Sequence, residues 1–239
     1  MLILALDTSG RTASCALLRD GLLLEQEARD SLLDHSRLLL PLCRDLLEKH
    51  GLALDDVDVF AAVTGPGSFT GIRIGVAAAK GFAWGRELPL YGVSTLESMA
   101  LSLGASSGIL CPVMDARRSQ VYNALFRAEG GVLTRLRPDR AISLKELGED
   151  LENFREEVFF VGDGACLCYN TLGISQPRFH LVPEHRRHQR ACGVALAALE
   201  KIRAGEPGDA AAMEPNYLRL SQAERERLER LQSTNQKGN

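Results

Sequence analysis

Aromatic side chains are scarce in this chain. They make up 5% of its 239 residues, with a single tryptophan, so the core must rest on Leu, Ala and Val. An excess of positive charge is missing as well: 28 Lys and Arg face 31 Asp and Glu, a formal net charge of −3. That excludes the broad basic surface by which nucleic-acid binders neutralise phosphates. The local exception, Arg186-Arg187-His188-Gln189-Arg190, reads as a solvated loop ahead of a helix. No apolar run approaches the roughly 20 residues of a bilayer span. Residues 2–6 are too short a run for a secretory leader and lack its basic flank. The six cysteines, Cys15, Cys43, Cys111, Cys166, Cys168 and Cys192, follow no disulfide framework. Together these absences predict a cytoplasmic protein with reduced thiols and no membrane contact.

Several chemical signatures are missing too. There is no Gly-x-Ser-x-Gly elbow to anchor a serine hydrolase. The glycine-rich run Thr64-Gly65-Pro66-Gly67-Ser68-Phe69-Thr70-Gly71 fails the P-loop pattern. Ile72-Arg73 follows where Lys-Ser/Thr is required, and Lys80 lies over two helical turns further on. Cys166-Leu167-Cys168 offers too few ligands for structural zinc, and the arginines beside His185 and His188 oppose a cation there. Neither a catalytic residue nor a metal ligand is expected.

What is present alternates strands and helices. Residues 2–6 read as a buried strand ending in the polar turn Asp7-Thr8-Ser9-Gly10. Residues 12–18 and 22–28 pair around Asp20-Gly21, a strong hairpin signal. A helix opens at Asp34-His35-Ser36, with Asp34 or Ser36 as cap, and Gly51 stops it. A strand over 57–63 leads through the glycine-rich loop into a helix over 72–84, then a strand over 88–93 and a helix over 94–103. The second half repeats the plan. Strands are predicted over 109–114, 120–127, 133–142 and 158–161, with helices over 143–153, 192–204 and 223–232. Each half opens with an apolar strand ending in aspartate, Asp7 and Asp115. The pattern predicts an α/β fold of two ribonuclease-H-like lobes, mixed sheets with flanking helices, as in the actin, sugar-kinase and heat-shock-ATPase superfamily. The first lobe is assigned to residues 1–106, a smaller second lobe to 107–222, and a charged helix with a frayed tail to 223–239.

Asp7-Thr8-Ser9 and Asp115 suit contact with nucleotide phosphate or magnesium, a carboxylate for the metal's waters and hydroxyls for oxygens. The alternative is a polar turn capping a buried strand. Gly71, Gly75 and Ala79 form a small-residue stripe with Ala78 beside it, suited to internal packing or to a partner helix. In the preceding helix Leu38, Leu39, Leu42, Leu46 and Leu47 cover more than one face, which suits a helix-pair interface.

At Asp7-Thr8-Ser9, at His35-Ser36, and from Thr64 through Gly71 to Ile72-Arg73-Ile74-Gly75, the sequence resembles the TsaB family. Met114-Asp115-Ala116-Arg117-Arg118 and Pro215-Asn216-Tyr217-Leu218-Arg219 carry the same resemblance. That family is paralogous to TsaD, the catalytic subunit that places threonylcarbamoyl on tRNA adenosine and carries a His-x-x-x-His metal pair. The corresponding positions here are Thr95 and Met99, poor replacements for imidazole. The resemblance therefore implies a non-catalytic partner subunit that forms a heterodimer with TsaD and is joined by TsaE. It implies no tightly bound cofactor in this chain, with ATP and a metal ion belonging to the whole complex. Contact with tRNA is indirect, and homodimers can form without TsaD. The implied interface lies on the helices over 34–50 and 71–84, through His35, Leu38, Leu39, Leu42, Leu46, Gly71, Arg73, Gly75, Ala78 and Ala79. The competing expectations are a small ATPase or kinase using Asp7, Asp115 and magnesium, and a metallopeptidase.

Overall fold

Strand β1 (Leu2–Asp7) lies in the middle of the first sheet, and burial on both faces explains its uninterrupted apolar run. Leu2, Leu4 and Leu6 join one core cluster, while Ile3 and Ala5 join another. The structure, a computed structural model, describes residues 1–30, 34–104, 107–117, 119–174 and 176–219. The helix expected over 223–232 lies outside them.

Strands β2 (Thr12–Arg19) and β3 (Leu22–Asp30) continue an antiparallel meander from β1. On its other side β4 (Val59–Gly65) and β5 (Leu90–Ser94) add in parallel, for the order β3-β2-β1-β4-β5. The second sheet repeats this with β6 (Gly108–Asp115), β7 (Gln120–Glu129), β8 (Val132–Ser143), β9 (Val158–Val161) and β10 (Phe179–Leu181), in the order β8-β7-β6-β9-β10. Even the hairpin turns correspond. Asp20-Gly21 has φ of 51° and 85°, Gly130-Gly131 has 57° and 81°, the paired positive values of a type I′ turn.

Helices α1 (His35–Lys49) and α2 (Phe69–Trp84) cover one face of the first sheet. Ser68 caps α2 by accepting from the Gly71 N–H at 3.2 Å. Asp34 sits at the N-cap of α1 but makes no capping side-chain bond. The third helix of the first half, α3 (Thr95–Ser102), crosses over. It follows β5, yet Leu96, Met99 and Ala100 pack with Leu110, Met114 and Phe126 of the second sheet.

In the second half α4 (Leu144–Leu151), with the capping box Ser143/Glu146, and the short α5 (Ala165–Cys168) cover the outer face of their own sheet. After the single turn α6 (Glu184–Arg187), helix α7 (Ala191–Arg203) crosses back. Its Val194, Ala195 and Ala198 pack on Ile3, Ala5, Val59 and Ala61. The crossing helices meet where Gly193 lies on the Ser98 carbonyl, with no room for a Cβ.

The helices are thus exchanged across the division expected at residue 107. Helix α7 and the chain up to 219 pack largely on the first lobe, and α3 packs on the second. The physical reason is that each sheet has two apolar faces, and the inner one is covered by the helix that follows the opposite sheet. The basic cluster is corrected. Gln189 is buried, Arg186 donates to the Leu103 carbonyl at 2.6 Å, and the Gly162 N–H donates to the Arg187 carbonyl at 2.8 Å. Through these contacts the segment ties the lobes together. No described helix is long and apolar enough to cross a membrane.

Candidate functional site

Between the lobes lies a cleft of about 370 Å³. The first lobe lines it with the Ser9-Gly10 turn and the Gly67-Ser68-Phe69 loop. The second contributes the Asp115-Ala116-Arg117 turn, Tyr122 and Asp163, and Arg219 closes one side.

The two turns differ in kind. Asp7 is wholly buried. Its Oδ1 accepts from the Ser9 N–H at 2.9 Å and from the Ser9 hydroxyl at 2.6 Å, while Oδ2 has no hydrogen-bond partner. Burial outweighs those two bonds and raises the Asp7 carboxyl to about 6. Thr8 turns the other way and donates its hydroxyl to the Gly71 carbonyl at 2.7 Å. The glycine-rich loop lies directly on this turn. A Cβ at Gly67 would stand 2.5 Å from the Ser9 carbonyl, one at Gly75 2.5 Å from Thr8 Oγ1, and one at Gly71 would collide with the Thr8 carbonyl. Asp7 and Thr8, expected either to contact phosphate or to cap a buried strand, do not line the cleft. Both side chains are sealed in the interior, and of the three residues only Ser9 borders the cleft.

Asp115 is exposed to the cleft. Its Oδ1 accepts from the Arg117 N–H at 2.7 Å, which holds Arg117 in left-handed backbone with φ of 61°. Its own N–H donates to Asp163 Oδ1 at 3.3 Å. Burial raises the Asp163 carboxyl above its ordinary value, and the neighbouring Asp115 charge acts in the same direction. Asp163 was absent from the expected site. Its signal was Gly162-Asp163-Gly164 directly after a strand.

The chain returns to the cleft after α7. Tyr91 donates its hydroxyl to the Glu206 carbonyl at 3.0 Å, Met213 enters the first-lobe core, and the Asn216 N–H donates to the Thr64 carbonyl at 2.7 Å. Tyr217 stacks on Phe69 with ring centres 4.6 Å apart and receives a 2.7 Å hydrogen bond from Arg73 Nε. Arg219 donates to the Ala116 carbonyl of the second lobe.

The residues expected to meet a partner divide. Leu39, Leu42, Leu46 and Ala79 are buried in this chain's own core. Gly71 and Gly75 pack on Thr8, and His35 Nε2 donates to the Gly10 carbonyl at 3.0 Å. All seven make contacts within this chain. Leu38, Arg73 and Ala78 keep some exposure. Beside them the outer face of the two helices carries Leu40, 48% exposed, with Pro41, Ala77 and Gly81.

Thr95 and Met99 are 0% and 1% exposed, so both positions are packed core. Among the described residues no three His, Cys, Asp or Glu side chains gather in a way that fits a metal ion. Thiol chemistry finds little footing either. A hydrogen bond to Cys15 and burial hold the Cys43 thiol well up, burial does so at Cys111, and burial pushes Cys168 up to about 12.

A family model described as "TsaD: tRNA N6-adenosine threonylcarbamoyltransferase" matches residues 29–227. The tRNA threonylcarbamoyladenosine biosynthesis protein TsaB of Bacillus subtilis is 32% identical over 96% of this chain and 99% of its own length. The chain belongs to the TsaB family. TsaB of Escherichia coli is 36% identical over 69% of this chain and 72% of its own. Among solved structures, YeaZ from Pseudomonas aeruginosa matches with a TM-score of 0.74 at 27% identity, over 91% of this chain and 99% of its own. The activator of 2-hydroxyisocaproyl-CoA dehydratase from Clostridium difficile, solved with bound ADPNP, shares the fold alone. Its TM-score is 0.52 at 11% identity, over 86% of this chain and 97% of its own. The fold is thus the two-lobed, actin-like one expected. In this TsaB-family chain the signature from Thr64 to Gly75 has a packing explanation, since its glycines are what let the loop and α2 lie on the Thr8-Ser9 backbone.

Proposed function

We propose that this chain is a non-catalytic partner subunit in the synthesis of N6-threonylcarbamoyladenosine on tRNA, binding TsaD and joined by TsaE. The observation that carries the reading is the burial of Thr95 and Met99 at the positions where the resemblance puts the catalytic paralogue's metal-binding histidines. Packed threonine and thioether side chains supply neither imidazole ligands nor access for substrate. ATP and the metal ion then belong to the assembled complex, and tRNA is met through the other subunits. A cytoplasmic location fits that task.

The partner surface in this reading is the outer face of α1 and α2, through Leu38, Leu40, Pro41, Arg73, Ala77 and Ala78. Small residues on α2 allow a second helix to approach closely, and half-exposed leucines on α1 supply apolar area. Without TsaD the same face can pair two copies of this chain.

The test is co-purification with TsaD of the same cell, sedimentation of each protein alone and together, and an assay of tRNA modification. The expected result is a heterodimer active only when both are present, weakened at least tenfold by Leu40→Asp or Ala77→Arg with folding unchanged. Unchanged affinity in both variants would move the interface elsewhere. The paired carboxylates Asp115 and Asp163 at the cleft favour a second reading, a small ATPase. ATP turnover by the chain alone, lost in Asp115→Ala, would establish that reading instead.

A further inference from the structure

Three consecutive residues near residue 217 hold opposite sides of the cleft. Tyr217 belongs to the first lobe, stacked on Phe69 and bonded to Arg73 of α2. Leu218 packs against the second-lobe core, and Arg219 bonds the Ala116 carbonyl there. Upstream the segment is fixed by the Asn216 N–H on Thr64 and by buried Met213. Arg73 itself is exposed, with its guanidinium 5.4 Å from the Tyr217 ring centre, and carries four N–H donors besides the one given to Tyr217.

We infer that residues 215–219 form a clasp that couples the outer face of α2 to the interlobe cleft, with Arg73 and Tyr217 as its latch. Arg73 holds Tyr217, and Tyr217 fixes where Arg219 can grip Ala116. An acidic side chain of a protein docked on α2 is the group able to compete for Arg73, because a carboxylate takes two guanidinium donors at once. Such a partner frees Tyr217 and loosens the turn that carries Asp115. That last consequence rests on the partner surface proposed above; the clasp itself does not, and is tested on the chain alone.

The experiment is amide hydrogen exchange on the full-length chain and three variants. The reporters are the Asn216 amide in the first lobe and the Ala116 and Gln120 amides of the second-lobe turn, which bond Gln120 and Arg117 carbonyls. Arg219→Ala should speed exchange at Ala116 and Gln120 about tenfold, as loss of one hydrogen-bond-sized restraint allows. Arg73→Ala touches no second-lobe residue, yet should speed the same two amides, and Tyr217→Phe should reproduce its effect because only the hydroxyl is lost. If Arg73→Ala or Tyr217→Phe changes exchange at Asn216 alone, the latch is overturned. If Arg219→Ala leaves Ala116 and Gln120 unchanged, the clasp is overturned as well.

Discussion

Asp7 and Asp115 end the first strand of two lobes that share one topology, and they live in different worlds. Asp7 is sealed beneath a glycine-rich loop and held near 6 by burial; Asp115 opens to the cleft beside Asp163. The lobes diverged in what crosses over the turn. In the first lobe the loop from Thr64 and the start of α2 lie flat on Thr8 and Ser9. In the second, the shorter Gly162-Asp163-Gly164 passage crosses the end of β6 and aims a carboxylate into the cleft. A duplicated fold can therefore keep its symmetry of strands while one copy of the site becomes structure.

The largest effect should come from separating the lobes. Residues 1–106 expressed alone lose α7, leaving the inner face of the first sheet bare, and should show no cooperative thermal transition by circular dichroism. A cooperative melt near that of the whole chain would break the claim that the lobes depend on exchanged helices. Next is the seal over Asp7. Gly71→Ala should cost roughly 3 kcal/mol in denaturant unfolding, because the new methyl meets the Thr8 carbonyl. Gly81→Ala on the same helix meets nothing and should stabilise by about 0.5–1 kcal/mol.

The pH dependence of Asp7 sharpens the contrast between the turns. Its folded carboxyl is raised from 3.8 to about 6, so the stability its protonated form contributes is present below pH 4 and lost as pH rises through 6. Asp7→Asn does not titrate. Its stability relative to the natural chain should therefore grow by on the order of 3 kcal/mol between pH 4 and pH 8. A constant difference across that range would mean that Asp7 is not desolvated. The smallest effect belongs to the second turn: Asp115→Asn, at an exposed site, should shift stability by less than about 0.5 kcal/mol at pH 7.

Much of this was legible in local pattern. Apolar runs ending in aspartate, the Asp20-Gly21 turn and the Ser143/Glu146 box marked strands, hairpin and helix start where the structure has them. The small-residue stripe at Gly71, Gly75 and Ala79 was open to internal packing or a partner helix, and in the structure Gly71 and Gly75 lie on Thr8 while Ala79 joins the first-lobe core, because spacing identifies a stripe but not what lies against it. Gln189 looked solvated among arginines, yet its side chain packs on Gly10 from far along the chain.

The sequence by itself determined most strands and helices of each lobe, the duplication and the family, since hydrogen-bonded hairpins, caps and close-packed glycines leave periodic, local marks. Tertiary structure alone decided that α3 and α7 change lobes, that Asp7 is buried while Asp115 is open, and that Tyr217 reaches Phe69 and Arg73. Each of those depends on contacts between residues distant in the chain, and burial of a charge or an aromatic ring is a property of what surrounds it rather than of its neighbours in sequence.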